Sequence, residues 1–267
     1  MNVAGRFASV EGFVQPLRAY EHWLAQYKRV WRGTIGTSLL NPLLYLAALG
    51  VGLGTIVDRS QNAPAGVPYL DFIAPGLLAA AAMQTAAIEA SWPVMGAIKW
   101  TRTYYAMTAT PLTERDVLLG HQLFVITRVL TSSAAYLLIV AAFGAVSSWL
   151  GLLAIPVAVL IGTAFSMPMA AYAATREGDS SFPPIFRFVI VPMFLFSGTF
   201  FPVDQMPLAF ELAAYVTPIW HGVELCRQLM LGDVEPLVAL GHLAYLLAWT
   251  VGGLFAARWA YRRRLFN

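Results

Sequence analysis

Apolar residues in this chain fall into long runs, and short polar stretches rich in arginine separate them. A helix needs about 20 mostly apolar residues to cross the hydrocarbon core of a bilayer. The first run that long covers residues 33–57, through LLNPLLYLAALGVGLGTIV, and polar DRSQNAPAGVP at 58–68 ends it. The second covers 69–92 and contains LLAAAAMQTAAIEA; polar KWTRTYYAMTATPLTERD follows at 99–116. The third, 117–146, and the fourth, 150–174, are divided only by SSW. A fifth, RFVIVPMFLFSGTFF at 187–201, follows TREGDSSFPP, and the last, 237–259, is closed by YRRRLFN. The pattern predicts an all-α membrane protein with six transmembrane helices.

Residues 16–32 have a different period. Leu17, Tyr20, Leu24, Tyr27 and Trp31 recur at spacings of three and four, Trp23 and Val30 widen the stripe, and Arg18, Glu21, Gln26, Lys28, Arg29 and Arg32 fill the other face. A helix with these two faces lies in the membrane interface instead of crossing it. Pro16 suits its first turn. The domain reading is therefore a cytoplasmic N-terminus with an amphipathic interfacial helix (1–32), then a six-helix transmembrane domain (33–267). On its own, the amphipathic helix reads either as a surface anchor or as a collar that meets a cytosolic subunit.

Charge orients the helices. Arg6, Arg18, Lys28, Arg29 and Arg32 precede the first span; Lys99, Arg102 and Arg115 lie between the second and third; Arg176 and Arg187 bracket the fourth-to-fifth junction; Arg258, Arg262, Arg263 and Arg264 end the chain. The opposite side has Arg59 and Arg227 against seven carboxylates, among them Asp58, Glu211 and Glu224. Cytoplasmic loops carry the excess of basic residues, so both termini are expected in the cytoplasm of a multi-pass cell-membrane protein. No cleavable signal peptide is expected, since the first thirty residues lack a compact apolar core.

Composition agrees with the pattern: 58% of residues are hydrophobic and 12% charged, where soluble domains carry about 25% charged. The net charge of +3 flanks apolar runs without forming a basic face, which excludes nucleic acid as a partner. The single Cys226 cannot form an internal disulfide. Neither Lys28 nor Lys99 follows a glycine-rich turn, so the chain has no P-loop and any ATP chemistry belongs to a partner. HExxH and GxSxG are absent, and the histidines are scattered in depth, which argues against a membrane enzyme. A secondary transporter would need paired acidic residues at mid-membrane, and the pattern offers none.

In the polar stretch at 92–116, a short helix is expected over 94–107. Thr110-Pro111 stops it. Thr113, with Asp116 three residues on, then caps the next helix. The segment therefore reads as a stiff projection. Glu89 ends the second span; counted from Asp71 it lies ~27 Å along a helix, near the interface, where Arg102 or Arg128 can pair with it. Arg128, about three turns into the third span, is expected to snorkel to the surface. Asn41-Pro42 is expected to kink the first span. Proline-broken pieces at 202–236 are expected to dip in from the outer face and return, with Glu224 and Arg227 able to pair three residues apart.

MQTAAIEASW and RTYYAMTATPLTERDVLLG resemble the permeases of ABC type-2 exporters, nearest the NodJ-like nodulation-factor (lipooligosaccharide) branch and close to the daunorubicin-resistance permeases. The matches are Glu89, Arg102, Thr103, Met107, Thr110, Pro111, Leu112 and Gly120, with Ile88 where the family commonly has phenylalanine. FLFSGTFFPVDQMP (194–207) and TPIWHGVELCRQLMLG (217–232) resemble two later family blocks in the same order.

The resemblance implies two permease copies, identical or related, paired with two cytosolic ABC ATPase subunits. It implies no cofactor on this chain, with ATP and Mg on the partner. It implies ATPase coupling through Tyr20, Tyr27, Arg29, Glu89, Arg102, Tyr105, Thr110 and Pro111. It implies a translocation path near Asn41, Tyr45, Gln84, Met193, Phe194 and Phe196, and an extracellular gate of Phe200, Phe201, Glu224 and Arg227. The implied substrate is amphipathic, either a lipid-linked oligosaccharide or glycolipid or, in the neighbouring branch, a drug or polyketide. An importer permease fits less well, because Glu89-Ala90-Ser91 to Gly96 departs from the importer loop in residue and spacing.

Overall fold

A computed structural model describes the backbone of residues 3–59 and 66–266, and side chains from Val14 onward apart from Arg32, Thr34, Ile35, Thr37, Ser38, Leu39, Asn41, Pro42 and Val51. The described residues are helical and contain no strand. Helix α1 spans Val3–Tyr45 and runs on through a π-helical stretch, Leu46–Leu53, into Gly54–Arg59. The amphipathic segment and the first apolar run are thus joined in one continuous helix, with no change of secondary structure at residue 33. Nothing at 33 stops a helix, because a glycine costs only about 1 kcal/mol there. The backbone is helical at Pro42; the departure from α geometry comes afterwards, at Leu46.

Helix α2 is Tyr69–Glu89. The polar stretch after it folds as α3, Trp92–Met95 with the π turn Gly96–Trp100, and α4, Thr103–Thr108. The single helix expected over 94–107 is divided at Arg102, whose φ of 53° is left-handed. Helix α5 is Glu114–Ala142, and its capping box forms as expected: the Thr113 N–H donates to Asp116 Oδ2 at 2.8 Å, and Thr113 Oγ1 accepts from the Asp116 N–H at 3.3 Å. Helix α6 is Ala154–Thr175, entered through the 3-10 turn Trp149–Leu153.

Helix α7 comprises Phe182–Ile185, Phe186–Ile190 and Val191–Leu195, four, five and five residues long. The fifth span expected at 187–201 is thus displaced and ends at Leu195. The chain turns at Gly198, where φ is +79°, a value that glycine adopts without a Cβ penalty. Helices α8, Leu208–Val216, and α9, Pro218–Leu231, form the proline-broken cap, and α10, Pro236–Phe266, closes the chain.

Among the described residues, four helical segments are long and apolar enough to cross a membrane: Tyr69–Trp100, Glu114–Ala142, Trp149–Thr175 and Pro236–Phe266. The core lies where α2, α5, α6 and α9 meet, with α10 packed along α6 and α1 along α5. Small residues permit close approach, as is usual between membrane helices. A Cβ on Gly120 of α5 would lie 2.5 Å from Ala19 Cβ and 2.6 Å from the Pro16 carbonyl of α1. That contact pins the base of α1 to α5.

Candidate functional site: two ends of the bundle

The arginine-rich segments come together at one end. Lys99 donates to the Glu177 carbonyl, Glu177 pairs with Arg264, and Tyr105 Oη donates to the Arg264 carbonyl at 3.2 Å. These contacts tie the 92–116 stretch, the junction after α6 and the last turn of α10. Glu177 is fully exposed, and its hydrogen bond from Arg264 draws its carboxyl below the ordinary glutamate range.

Beneath that surface lies a buried aromatic knot that the sequence reading did not single out. Trp23 of α1 stacks on His121 of α5 at 4.3 Å and on Phe124 at 5.8 Å. Tyr104 of α4 is fully buried, hydrogen-bonds His121 Nδ1 and packs on Tyr261 of α10, ring centroids 5.7 Å apart. Burial holds the Tyr104 phenol well above the usual tyrosine range. Tyr105, the neighbour that the resemblance implies for coupling, is exposed. Successive residues on a helix point about 100° apart, so only one of the adjacent tyrosines can face the bundle, and the pattern of so short a helix does not say which.

Just inside the knot, Arg128 Nε donates to Glu89 Oε1 at 3.0 Å and its Nη1 donates to Tyr27 Oη at 2.9 Å. The guanidinium also lies over the Tyr27 ring, 4.7 Å from its centroid. The expectation that Arg128 snorkels is overturned, since its side chain is 3% exposed. A partner within reach removes the need to seek water, because a buried guanidinium is tolerated when paired and hydrogen-bonded. Of the two arginines weighed for Glu89, Arg128 is its partner and Arg102 is exposed.

Tyr20 Oη and Thr127 Oγ1 are 3.1 Å apart, a second link between α1 and α5. Arg29 and Pro111 are exposed. Thr110 Oγ1 donates to the Met107 carbonyl at 2.6 Å, closing the turn before Pro111.

Three residues expected on the path and gate, Tyr45, Phe194 and Phe200, meet between α1, α7 and the turn after α7. Tyr45 meets Phe194 edge-on at 5.8 Å and Phe200 at 6.2 Å, and Phe194 and Phe200 meet at 5.0 Å. Met193 and Gln84 are half-buried, and Phe201 is exposed. Phe196 instead stacks on Phe210 of α8 at 4.9 Å, within a separate cap cluster around Val203, Met206 and Ala214. The Asn41 side chain lies outside the described residues.

At the end away from the arginine-rich segments Glu224 pairs with Arg227. Arg227 also donates from Nη2 to the Gly198 carbonyl at 2.6 Å, reaches the Phe72 carbonyl at 3.5 Å, and lies 4.1 Å from the Phe72 ring centroid. Both members of the pair line a cavity of about 340 Å³ between α2 and the cap. Among the described residues, no group of three or more His, Cys, Asp or Glu could hold a metal ion.

These features define a helical, multi-pass membrane protein with a tied basic end and a folded cap at the other. Residues 21–231 match the ABC-2 type transporter family, and the chain belongs to that family. It is 35% identical over 255 residues to Nodulation protein J of Rhizobium leguminosarum bv. trifolii, covering 92% of this chain and 95% of that protein. It is 32% identical over 253 residues to Nodulation protein J of Rhizobium meliloti (strain 1021), covering 91% and 94%. The Bradyrhizobium diazoefficiens protein of the same name is 32% identical over 262 residues, covering 95% and 97%. The chain is thus a transport permease subunit and not an enzyme; it pairs with ATPase subunits, and the ATP is bound there.

Proposed function

We propose that this chain is the membrane half of an ATP-driven exporter that moves an amphipathic glycolipid or lipid-linked oligosaccharide outward from the cytoplasm or inner leaflet. Six crossings with both termini in the cytoplasm, two permease copies and two ATPases complete the proposal. Likeness to Nodulation protein J over more than nine-tenths of the chain supports the substrate class. The arginine asymmetry supports the orientation.

The observation that carries the coupling mechanism is the knot of Trp23, Tyr104 and His121. It joins the 92–116 stretch to α1 and α5 with no flexible tether between them. Arg102, held left-handed and exposed, forms the turn between α3 and α4; a non-glycine residue in that conformation stores about 1–3 kcal/mol. ATP binding closes the partner ATPases, which push on this turn. Tyr104 passes the push to the knot, and the Tyr27–Arg128–Glu89 tie carries it into α1 and α2. The path beside Tyr45 and Phe194 then changes from inward-facing to outward-facing.

The test is reconstitution with the cognate ATPase in proteoliposomes. Substitutions across 102–111, and Tyr104→Ala, should leave assembly largely intact and keep ATP hydrolysis while abolishing transport. Normal transport by these variants would falsify the coupling role. Transport of hydrophobic drugs but not glycolipids would replace the substrate class and leave the coupling untouched.

A further inference from the structure

A cleft of about 950 Å³ opens on the flank of the bundle among α1, α5, α6 and α10, away from the path and the cap. Its wall is apolar, formed by Leu119, Leu123, Ile126 and Met167. Its rim carries Arg115 and Arg258, both exposed. An adjoining depression of about 740 Å³ adds Arg262 and Arg263, with Trp259 beneath Arg263 at 5.5 Å, and Glu114 lines both. Asp116, the other carboxylate on the rim, is engaged by the Thr113 N–H at 2.8 Å and its hydroxyl at 2.6 Å. The four arginines therefore face one uncommitted carboxylate, and the rim is positive.

One polar group interrupts the apolar wall. Gln122 is 2% exposed; its Oε1 accepts from Ser166 at 2.7 Å, while its buried Nε2 finds no partner among the described residues. An unpaired buried amide donor costs about 1–3 kcal/mol; Nε2 is covered by its neighbours, and a carbonyl that displaces that cover from the cleft side would recover the cost. From Arg115 to Gln122 the helix rises ~10 Å. Along the cleft the positive rim comes first, and the lone donor follows beyond Leu119, inside the apolar wall. A glycerophospholipid likewise presents its phosphate first, with ester carbonyls among apolar carbons further in.

The geometry points to a binding site for an anionic phospholipid drawn from the leaflet that meets the arginine-rich end. Its phosphate sits against Arg115 and Arg258, an ester carbonyl accepts from Gln122 Nε2, and an acyl chain lies along Leu123, Ile126 and Met167. Basic pockets between membrane helices capture anionic headgroups in this way, each arginine adding appreciably to affinity.

The experiment is a lipid titration of the purified full-length chain in detergent, read by thermal unfolding and native mass spectrometry. Phosphatidylglycerol should raise the unfolding midpoint and stay bound where phosphatidylcholine does not. The double variant Arg115→Gln/Arg258→Gln should weaken phosphatidylglycerol binding by about tenfold or more, and Arg258→Lys should retain it. Gln122→Leu should remove the preference for ester-linked over ether-linked phosphatidylglycerol. Equal binding of both headgroups, or double-variant affinity matching the parent, overturns the proposal. So does stabilisation by inorganic phosphate alone, or a double variant that keeps the lipid and loses only its ATPase partner.

Discussion

Among the described residues the bundle holds two arginine–glutamate pairs whose arginine is buried, one near each end, and they are built differently. Arg128 and Arg227 have side chains only 3% and 8% exposed. Arg128 reaches a glutamate 39 residues away and a tyrosine 101 residues away, so its partners are side chains on two other helices. Arg227 takes a glutamate three residues along its own helix and turns its remaining donors to backbone carbonyls of Gly198 and Phe72. The inner pair joins helices through side chains that can rotate or exchange partners. The outer pair pins a non-helical turn that has few other ways to satisfy its backbone. The first arrangement suits an element that moves, the second an element that holds still.

Breaking the outer pair should have the larger effect on stability. Arg227→Met leaves Glu224 without its partner and the Gly198 carbonyl without this donor; a loss of about 3–5 kcal/mol is expected, read as a lower unfolding midpoint and poor monodispersity. The inner pair should cost less and affect coupling more. Arg128→Met should destabilise by about 2–4 kcal/mol, and adding Glu89→Gln should restore part of that, giving a coupling energy of about 1–3 kcal/mol in a double-mutant cycle. Additive effects would show that the pair does not act as a unit.

A third substitution tests the seat of α1 without touching a charge. Gly120→Ala places a methyl against Ala19 and the Pro16 carbonyl; a cost of about 1–3 kcal/mol is expected from overpacking, with transport falling more than ATP hydrolysis. Equal loss of both activities would mean that the contact is only structural.

The cap has a pH dependence with a definite sign. His221 of α9 is held down to about 4 from its ordinary 6.5, mainly by burial and then by the neighbouring His242. His221 Nδ1 contacts His242 Nδ1 at 2.8 Å, and its Nε2 faces the Tyr215 carbonyl at 3.0 Å. The unfolded chain takes up this proton first, so the contribution of His221 is fully present above pH 6.5 and is lost as pH falls towards 4. Unfolding midpoints measured from pH 7.5 to 4.5 should fall less steeply in His221→Gln than in the parent. The smallest effect is expected from Glu177→Gln. Its pair with Arg264 is solvent-exposed and screened, so the midpoint should not move measurably. A clear drop would mark the tie between α10 and the junction after α6 as structural.

Several features were legible before any coordinates. The apolar runs locate α2, α5, α6 and α10 to within a few residues at most of their ends, because a bilayer imposes one length on every crossing helix. Thr113 and Asp116 announce a capping box, and Glu224–Arg227 announces a helical pair, since both depend on spacing within a single element. The fifth run was misread at its end: FSGTFF is as apolar as what precedes it, and the turn at Gly198 is a matter of backbone conformation. Hydrophobicity alone did not reveal it.

Order along the chain was enough to establish a helical membrane protein of the ABC-2 type, with most of its basic residues at one end and no ATP-binding loop. These are properties of composition and local spacing, which survive however the helices are arranged. The three-dimensional arrangement decided which arginine meets Glu89, which of two adjacent tyrosines enters the core, and that α1 runs without a break past Gly33. Each depends on what an approaching helix offers within a few ångströms. Tyr27 is 101 residues from Arg128 in sequence and 2.9 Å from it in space.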